Sequence, residues 1–276
     1  MKKLYILYVL LIFLFTSCEK VVEIDVPSIE PKLIIDASFE VFFHKSPVTA
    51  KVNVKLTSSA DYFDEIIPVV TNAIVFLTDL SNNTIIIFSD SNADGSFEPT
   101  TPFIPADNTA YELTVIYKNE TYKGVATKVK STPFIDVFQG DQTLFSGKET
   151  ELRVSFLDVP IVENHYLFDF SKDLFLAIDD RFFNGAEYNF SFFYQEDELV
   201  LPETVTLKMS GISKDYFSYF RVLVNQSGQN SGGPFESVPS SLLGNMVNRT
   251  NEDNFPLGYF HISETDTFTV DLVQKN

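Results

Sequence analysis

The spacing of apolar residues changes along this chain, and each change predicts a different kind of element. From Leu4 to Phe15 the residues are continuously apolar, behind a basic start at Lys2 and Lys3. That run is shorter than the about 20 residues a membrane-spanning helix needs. With the small residues Thr16-Ser17 after it, the run predicts a secretory leader over residues 1–17. Beyond Pro31 the period becomes two, the signature of strands with one buried face. Val52, Val54 and Leu56 alternate with Lys51, Asn53 and Lys55; Tyr111, Leu113, Val115 and Tyr117 form a second such face. Further strands are predicted at Lys32–Ser38, Ala73–Leu80, Thr84–Phe88 and Thr121–Val129. Ser81-Asn82-Asn83 supplies hairpin chemistry, because Asn tolerates a left-handed backbone.

The second half repeats the pattern with more aromatic residues. Phe134–Phe138, Glu149–Leu157, Tyr166–Phe170, Tyr188–Tyr194 and Thr204–Met209 read as strands, and Gly258–Ile262 and Thr267–Val273 as two closing ones. One segment has helical spacing instead. Ser213 is a candidate cap, Asp215 sits in the first turn, and Tyr216, Phe220, Leu223 and Val224 make one apolar stripe before Gly228. The expected fold is therefore all-β, as two consecutive β-sandwich domains. The first, residues 32–132, is immunoglobulin- or transthyretin-like; the second, residues 133–276, carries a short helix near 213–227. Gln229–Asn254 is rich in Gly, Ser, Asn and Pro. Its Phe235, Leu242, Leu243 and Met246 suit either a partner-binding surface or anchor points on the body.

Cys18, the only cysteine, directly follows the leader, and Thr16-Ser17-Cys18 resembles the lipobox of bacterial lipoproteins. In such signals the cysteine is lipidated and becomes the new N-terminus. Lipidation would explain an unpaired cysteine in an exported protein, and two or more acyl chains hold a membrane stably where one does not. Residues 18–31, interleaving Val with acidic residues and containing Pro27 and Pro31, read as a lipidated tether. Fully extended, it reaches about 40 Å.

The chain carries 38 acidic against 20 basic side chains, a formal charge of −18, and loses two of those basic groups with the leader. Such a surface repels phosphate backbones, which excludes nucleic acid as a partner. Candidate chemistry is sparse. Asp90, Asn92 and Asp94, followed by Gly95, match the first half of a calcium loop, with Glu98 as a substitute for the missing bidentate residue. The same residues are those of a polar hairpin turn, and the sequence leaves both readings open. His44, His165 and His261 are scattered, and Asp179-Asp180 and Glu196-Asp197-Glu198 read as solvated turns. No G-x-S-x-G, P-loop, H-E-x-x-H or C-x-x-C motif is present, so the expectation is a protein without catalytic activity.

Several segments, taken in order, are similar to the Bacteroidota outer-membrane lipoproteins classed as domain of unknown function 4249. They are Cys18-Glu19 with its Val-rich acidic tether, Pro31–Ile35, Val70–Val75, Gly95-Ser96-Phe97, Tyr111–Val115, Phe183-Asn184-Gly185, Ile212–Tyr216, Gly233-Pro234-Phe235 and Leu257–Phe260. Asn245 and Asn248 fall where that family has an Asn-containing segment. The resemblance implies an outer-membrane lipoprotein on the cell surface or periplasmic face. It further implies a binding or accessory role in nutrient capture beside a TonB-dependent transporter. The alternatives are a structural or adhesive surface protein and a hydrolase whose carboxylates meet only in three dimensions.

Overall fold

The computed structural model describes residues 30–61, 64, 66–226 and 242–274. Cys18, the leader and most of the tether lie outside them, as does Phe235. Period-two alternation becomes paired strands throughout. In the first half these are β1 (Leu33–Phe42), β2 (Thr49–Ser58), β3 (Ile74–Asp79), β4 (Ile85–Ser89), β5 (Ser96–Pro99), β6 (Ala110–Tyr117) and β7 (Glu120–Thr127). β1 pairs antiparallel with β2 over its whole length, from Leu33 opposite Ser58 to Phe42 opposite Thr49. β4, β3, β6 and β7 form the facing layer. β5 was not foreseen, being only four residues long. It pairs with β2 through Phe97 and Ser96 and with β4 through Pro99 and Glu98, so it joins the two layers at a corner. Ile35, Phe39, Val54 and Leu56 of one layer meet Val75, Leu77, Leu113 and Val115 of the other.

The second half contributes β8 (Phe134–Gln139), β9 (Thr150–Leu157), β10 (His165–Asp169), β11 (Phe175–Asp179), β12 (Glu187–Tyr194) and β13 (Glu203–Gly211). After them come the helix α1 (Lys214–Gln226), the two-residue β14 (Val247–Asn248) and β15 (Phe260–Leu272). β12, β9 and β8 make one layer. β11, β10, β13 and β15 make the other. Between them lies a core dense in aromatic rings, including Phe156, Phe168, Phe170 and Tyr194. The fold is all-β apart from α1, and each half has its own layered core.

β15 departs from the expectation of two closing strands. It is one strand of thirteen residues. Its first part runs parallel to β1, Ala37 opposite Phe260 through Val41 opposite Glu264. Its remainder runs antiparallel to β13, Ser210 opposite Thr265 through Glu203 opposite Leu272. The even-numbered positions share one face: Phe260 and Ile262 enter the first core, Phe268, Val270 and Leu272 the second. Between them Glu264 and Asp266 are buried, and they accept the backbone N–H groups of Ser131 at 3.1 Å and Phe134 at 2.9 Å. Val129 also exchanges backbone hydrogen bonds with this strand, to Ile262 and from Glu264. The first sandwich therefore does not close at residue 132. It borrows its last strand from the far end of the chain.

α1 begins where Ser213 Oγ accepts the N–H of Tyr216 at 3.1 Å. Its buried face is Tyr216, Phe217, Phe220 and Val224. Phe217 thus takes the place expected for Leu223, which is 39% exposed. The face packs on Leu167, Phe175 and Ala177 of β10 and β11.

Asp266→Ala should strand the Phe134 N–H in the interior and cost about 1–3 kcal/mol. Asp266→Asn, which keeps an acceptor, should cost less. Chemical denaturation followed by far-ultraviolet circular dichroism measures both, and a loss confined to a few tenths of a kcal/mol for Asp266→Ala would contradict this role for the strand.

Candidate functional site

A groove of about 980 Å³ opens between α1, the start of β1, the end of β2 and the segment leading into β15. Its helical wall carries Tyr216, Tyr219 and Leu223, spaced to lie along one edge of α1. The opposite wall uses outward positions of β1, where Ile34 and Asp36 alternate with the core residues Leu33, Ile35 and Ala37. Phe255, Leu257 and Tyr259 close the end. Tyr259 is the hub of the aromatic wall, with ring centroids 4.8 Å from Tyr216 and 4.9 Å from Tyr219.

The Leu257–Phe260 motif has a physical explanation here. Leu257 exchanges backbone hydrogen bonds with Leu33 and Ile35, and Ala37 donates to the Tyr259 carbonyl at 2.9 Å. Gly258 sits at φ +92, and a Cβ there would lie 2.2 Å from the Ile35 carbonyl oxygen. Only glycine lets the backbone run so close to β1 while turning Tyr259 toward the groove and Phe260 into the first core. Asn245 completes the brace, donating to the Phe260 carbonyl at 2.7 Å and accepting its N–H at 2.8 Å.

Acidic groups dominate the groove's charge. Among the described residues, Glu30, Asp36, Asp61 and Asp64 line it against one cation, Lys32, whose ammonium lies 3.7 Å from the Phe255 ring centroid. Asp36 is exposed on the outward face of β1, and partial desolvation by the groove walls raises its carboxyl pKa above the usual range. Burial likewise raises the phenols. Tyr219 is pushed up to about 12, while Tyr216 and Tyr259 also move upward, so all three are neutral hydroxyls at physiological pH. Behind Tyr216, His261 stacks at 4.1 Å and meets Ser263 Oγ at 3.2 Å. Burial lowers the His261 pKa to about 4.

The residues singled out from the sequence fall elsewhere. Asp90 turns its carboxylate onto the loop's own backbone, accepting from Asp94 N–H at 3.2 Å and Gly95 N–H at 2.9 Å. Asp94 accepts from Ser96 N–H at 2.8 Å, and Lys55 donates to the Asp94 carbonyl at 2.7 Å. Asn92 and Glu98 are exposed. Gly95, at φ +82, would push a Cβ to 2.6 Å from the Leu56 carbonyl oxygen. This is the geometry of a hairpin turn. Among the described residues no three His, Cys, Asp or Glu side chains are grouped to hold a metal ion, so Asp90, Asp94 and Glu98 are not brought together.

The carboxylate pairs also have partners. Asp179 binds Arg181 through two hydrogen bonds, 2.7 and 2.8 Å, and Glu196 pairs with Lys148 at 2.7 Å. Asp180 is buried and accepts from Asn164 N–H and Asn184 Nδ2, each at 2.8 Å. A smaller polar cavity of about 310 Å³ borders Glu149 and Glu151. Both carboxylates hold the loop before β9, Glu151 accepting Gln142 N–H and Glu149 the N–H groups of Leu144, Ser146 and Lys148. Burial opposes ionisation of Glu149, but its hydrogen bonds from Ser146 and the backbone outweigh it and bring the pKa to about 2. His44, His165 and His261 lie apart: His44 at the surface near Asp266, His165 beneath Phe217, His261 behind Tyr216. Of the long polar segment, Met246 enters the first core and Leu242 lines the groove, while Leu243 is exposed.

Sequence reasoning missed Asp36, Tyr219, Tyr259 and Phe255. A signal for Asp36 was present, since it is the single charge in an otherwise apolar Leu33–Ala37 stretch.

A protein-family model described as "Domain of unknown function (DUF4249)" matches residues 19–269. No curated protein matches the chain. Among solved structures, a DUF4785 family protein from Legionella pneumophila aligns over 65% of this chain and 51% of that one, with 12% identity and a TM-score of 0.23. The alignment thus spans about half of that protein's length, and a likeness that low carries no argument.

Two substitutions test the groove's construction. Gly258→Ala should cost about 1–3 kcal/mol by forcing the backbone away from β1, and thermal unfolding measures the loss. In wild type the melting temperature should fall as pH drops from about 6.5 to about 4, because the unfolded chain then takes up a proton that folded His261 refuses. His261→Phe should remove that part of the slope, measured as the difference between the two pH profiles.

Proposed function

The chain belongs to the family described as Domain of unknown function (DUF4249), and on that basis we propose that it is a lipid-anchored bacterial envelope protein that works by binding. The observation that carries this reading is the open, aromatic-walled groove of about 980 Å³ with polar groups at its mouth. The leader and Cys18 supply the anchor. The described chain begins at Glu30, and Glu30, Pro31 and Lys32 themselves line the groove. A tether ending there would hold the groove within about 40 Å of the bilayer. A ligand released from the groove would then reach a transporter in the same membrane over a short path. On this reading the protein sits in the outer membrane as an accessory to a TonB-dependent transporter in nutrient capture, without catalysis of its own.

A second reading, as an adhesive or structural surface protein, is favoured by a different feature. The outward face of β3 and β4 exposes Ile74, Ile85 and Ile87, each close to 60% accessible. Aliphatic groups so placed are suited to contact with another protein.

Replacing Cys18 by serine should release the protein from the membrane fraction and abolish an acyl adduct visible by mass spectrometry of the wild type. Membrane retention of Cys18→Ser without fatty acid would overturn the anchor. Mild detergent extraction should recover the wild-type protein together with a transporter, and recovery alone would count against that partnership.

A further inference from the structure

The groove's chemistry selects among ligands. Asp36 faces Lys55 across the β1–β2 ladder, the position from which a lysine would ordinarily neutralise it. Lys55 is committed elsewhere, its ammonium donating to the Asp94 carbonyl at 2.7 Å and to Ser96 Oγ at 3.3 Å. Among the described residues, the Asp36 side chain makes no hydrogen bond or ion pair. It is exposed on the outward face of β1 and opens to the groove, so a cation arriving from solution can pair with it without displacing another partner.

The aromatic wall points the same way. Tyr216, Tyr219 and Tyr259 form one cluster of π faces beside Asp36, and such faces attract ammonium and guanidinium groups. The groove already shows this contact once, in Lys32 stacked on Phe255. Rim carboxylates Glu30, Asp61 and Asp64 extend the negative field outward, which attracts cations and repels anions.

Resting on the reading of this groove as the binding site, we infer that its ligand is an organic cation, bearing an ammonium or guanidinium head that seats between Asp36 and the tyrosine cluster. The remaining volume accommodates an apolar or polar body behind that head. A neutral ligand would stack on the tyrosines but leave Asp36 unpaired, and an anion would meet four carboxylates.

The test uses the full-length lipidated protein in detergent, with choline and ethylguanidinium as probes and 3,3-dimethylbutan-1-ol as the neutral isostere of choline. Calorimetry and saturation-transfer NMR measure binding at low ionic strength. The expected result is that at least one cation binds, and that the neutral isostere binds at least about tenfold more weakly. Asp36→Asn should lose about tenfold or more in cation affinity, and Tyr219→Leu a comparable factor. Thermal unfolding checks that each variant is folded, and Tyr219→Leu stands alone as the test if Asp36→Asn is not. Equal binding of cation and isostere, both lost in Tyr219→Leu, would overturn the cation assignment while leaving the groove as a binding site. Failure of both cations to bind the folded wild-type protein, or undiminished binding in Asp36→Asn, would also overturn it. Neither result touches the Cys18 anchor, which fractionation tests separately.

Discussion

Two carboxylates in the middle of the last strand are the constraint on which the structure depends. Glu264 and Asp266 occupy positions that would otherwise continue a hydrophobic stripe, and they are buried where the chain passes from one core to the other. The connecting segment presents backbone N–H groups at Ser131 and Phe134 that no strand partner satisfies, and the carboxylates accept them. A buried donor left unmade costs about 1–3 kcal/mol, and an unpaired buried charge costs more. Each group thus makes the other's burial tolerable. β15 can then run unbroken from the first core into the second, and the two halves share a sheet instead of standing as separate beads.

The groove is a consequence of that arrangement. Its helical wall belongs to the second half, because α1 packs on β10 and β11. Its strand wall belongs to the first, through Ile34 and Asp36 of β1. Tyr259 stands immediately before β15 and touches both tyrosines of the helix. Crevices where two packed units meet are common binding sites, since each unit supplies a rigid wall. Here the strand that joins the cores also sets the distance between the walls.

Several sequence features kept their place but changed their meaning. Asp90 to Gly95 and Asn184-Gly185 were legible as turns from residue type alone. The loop-to-loop bonds at the second turn were not: Asn184 Oδ1 accepts the Ile161 N–H at 3.0 Å, and Gly185 N–H donates to Asp158 Oδ2 at 2.7 Å, each tying two loops together. The helix was legible from its cap and spacing, yet Phe217 is buried where Leu223 was expected. The apolar stripe of Tyr216, Phe220 and Val224 is wide enough to rotate by one residue, and packing on Leu167, Phe175 and Ala177 of β10 and β11 decided which flank it buried.

By itself the sequence determined the class of the fold, most of its strands, and the helix and its cap. These follow from local chemistry, namely side-chain period and turn residues. Tertiary structure alone decided that Phe260–Leu272 is a single strand. The even-numbered phase of Phe260, Ile262, Phe268, Val270 and Leu272 was already continuous, but four polar residues in its middle read as a break. Glu264 and Asp266 among them are buried because their partners come from over a hundred residues away, Ser131 and Phe134 at separations of 133 and 132. No local pattern contains such a partner, and Asp36 became a site residue for the same reason: the tyrosines beside it arrive from α1 and the approach to β15.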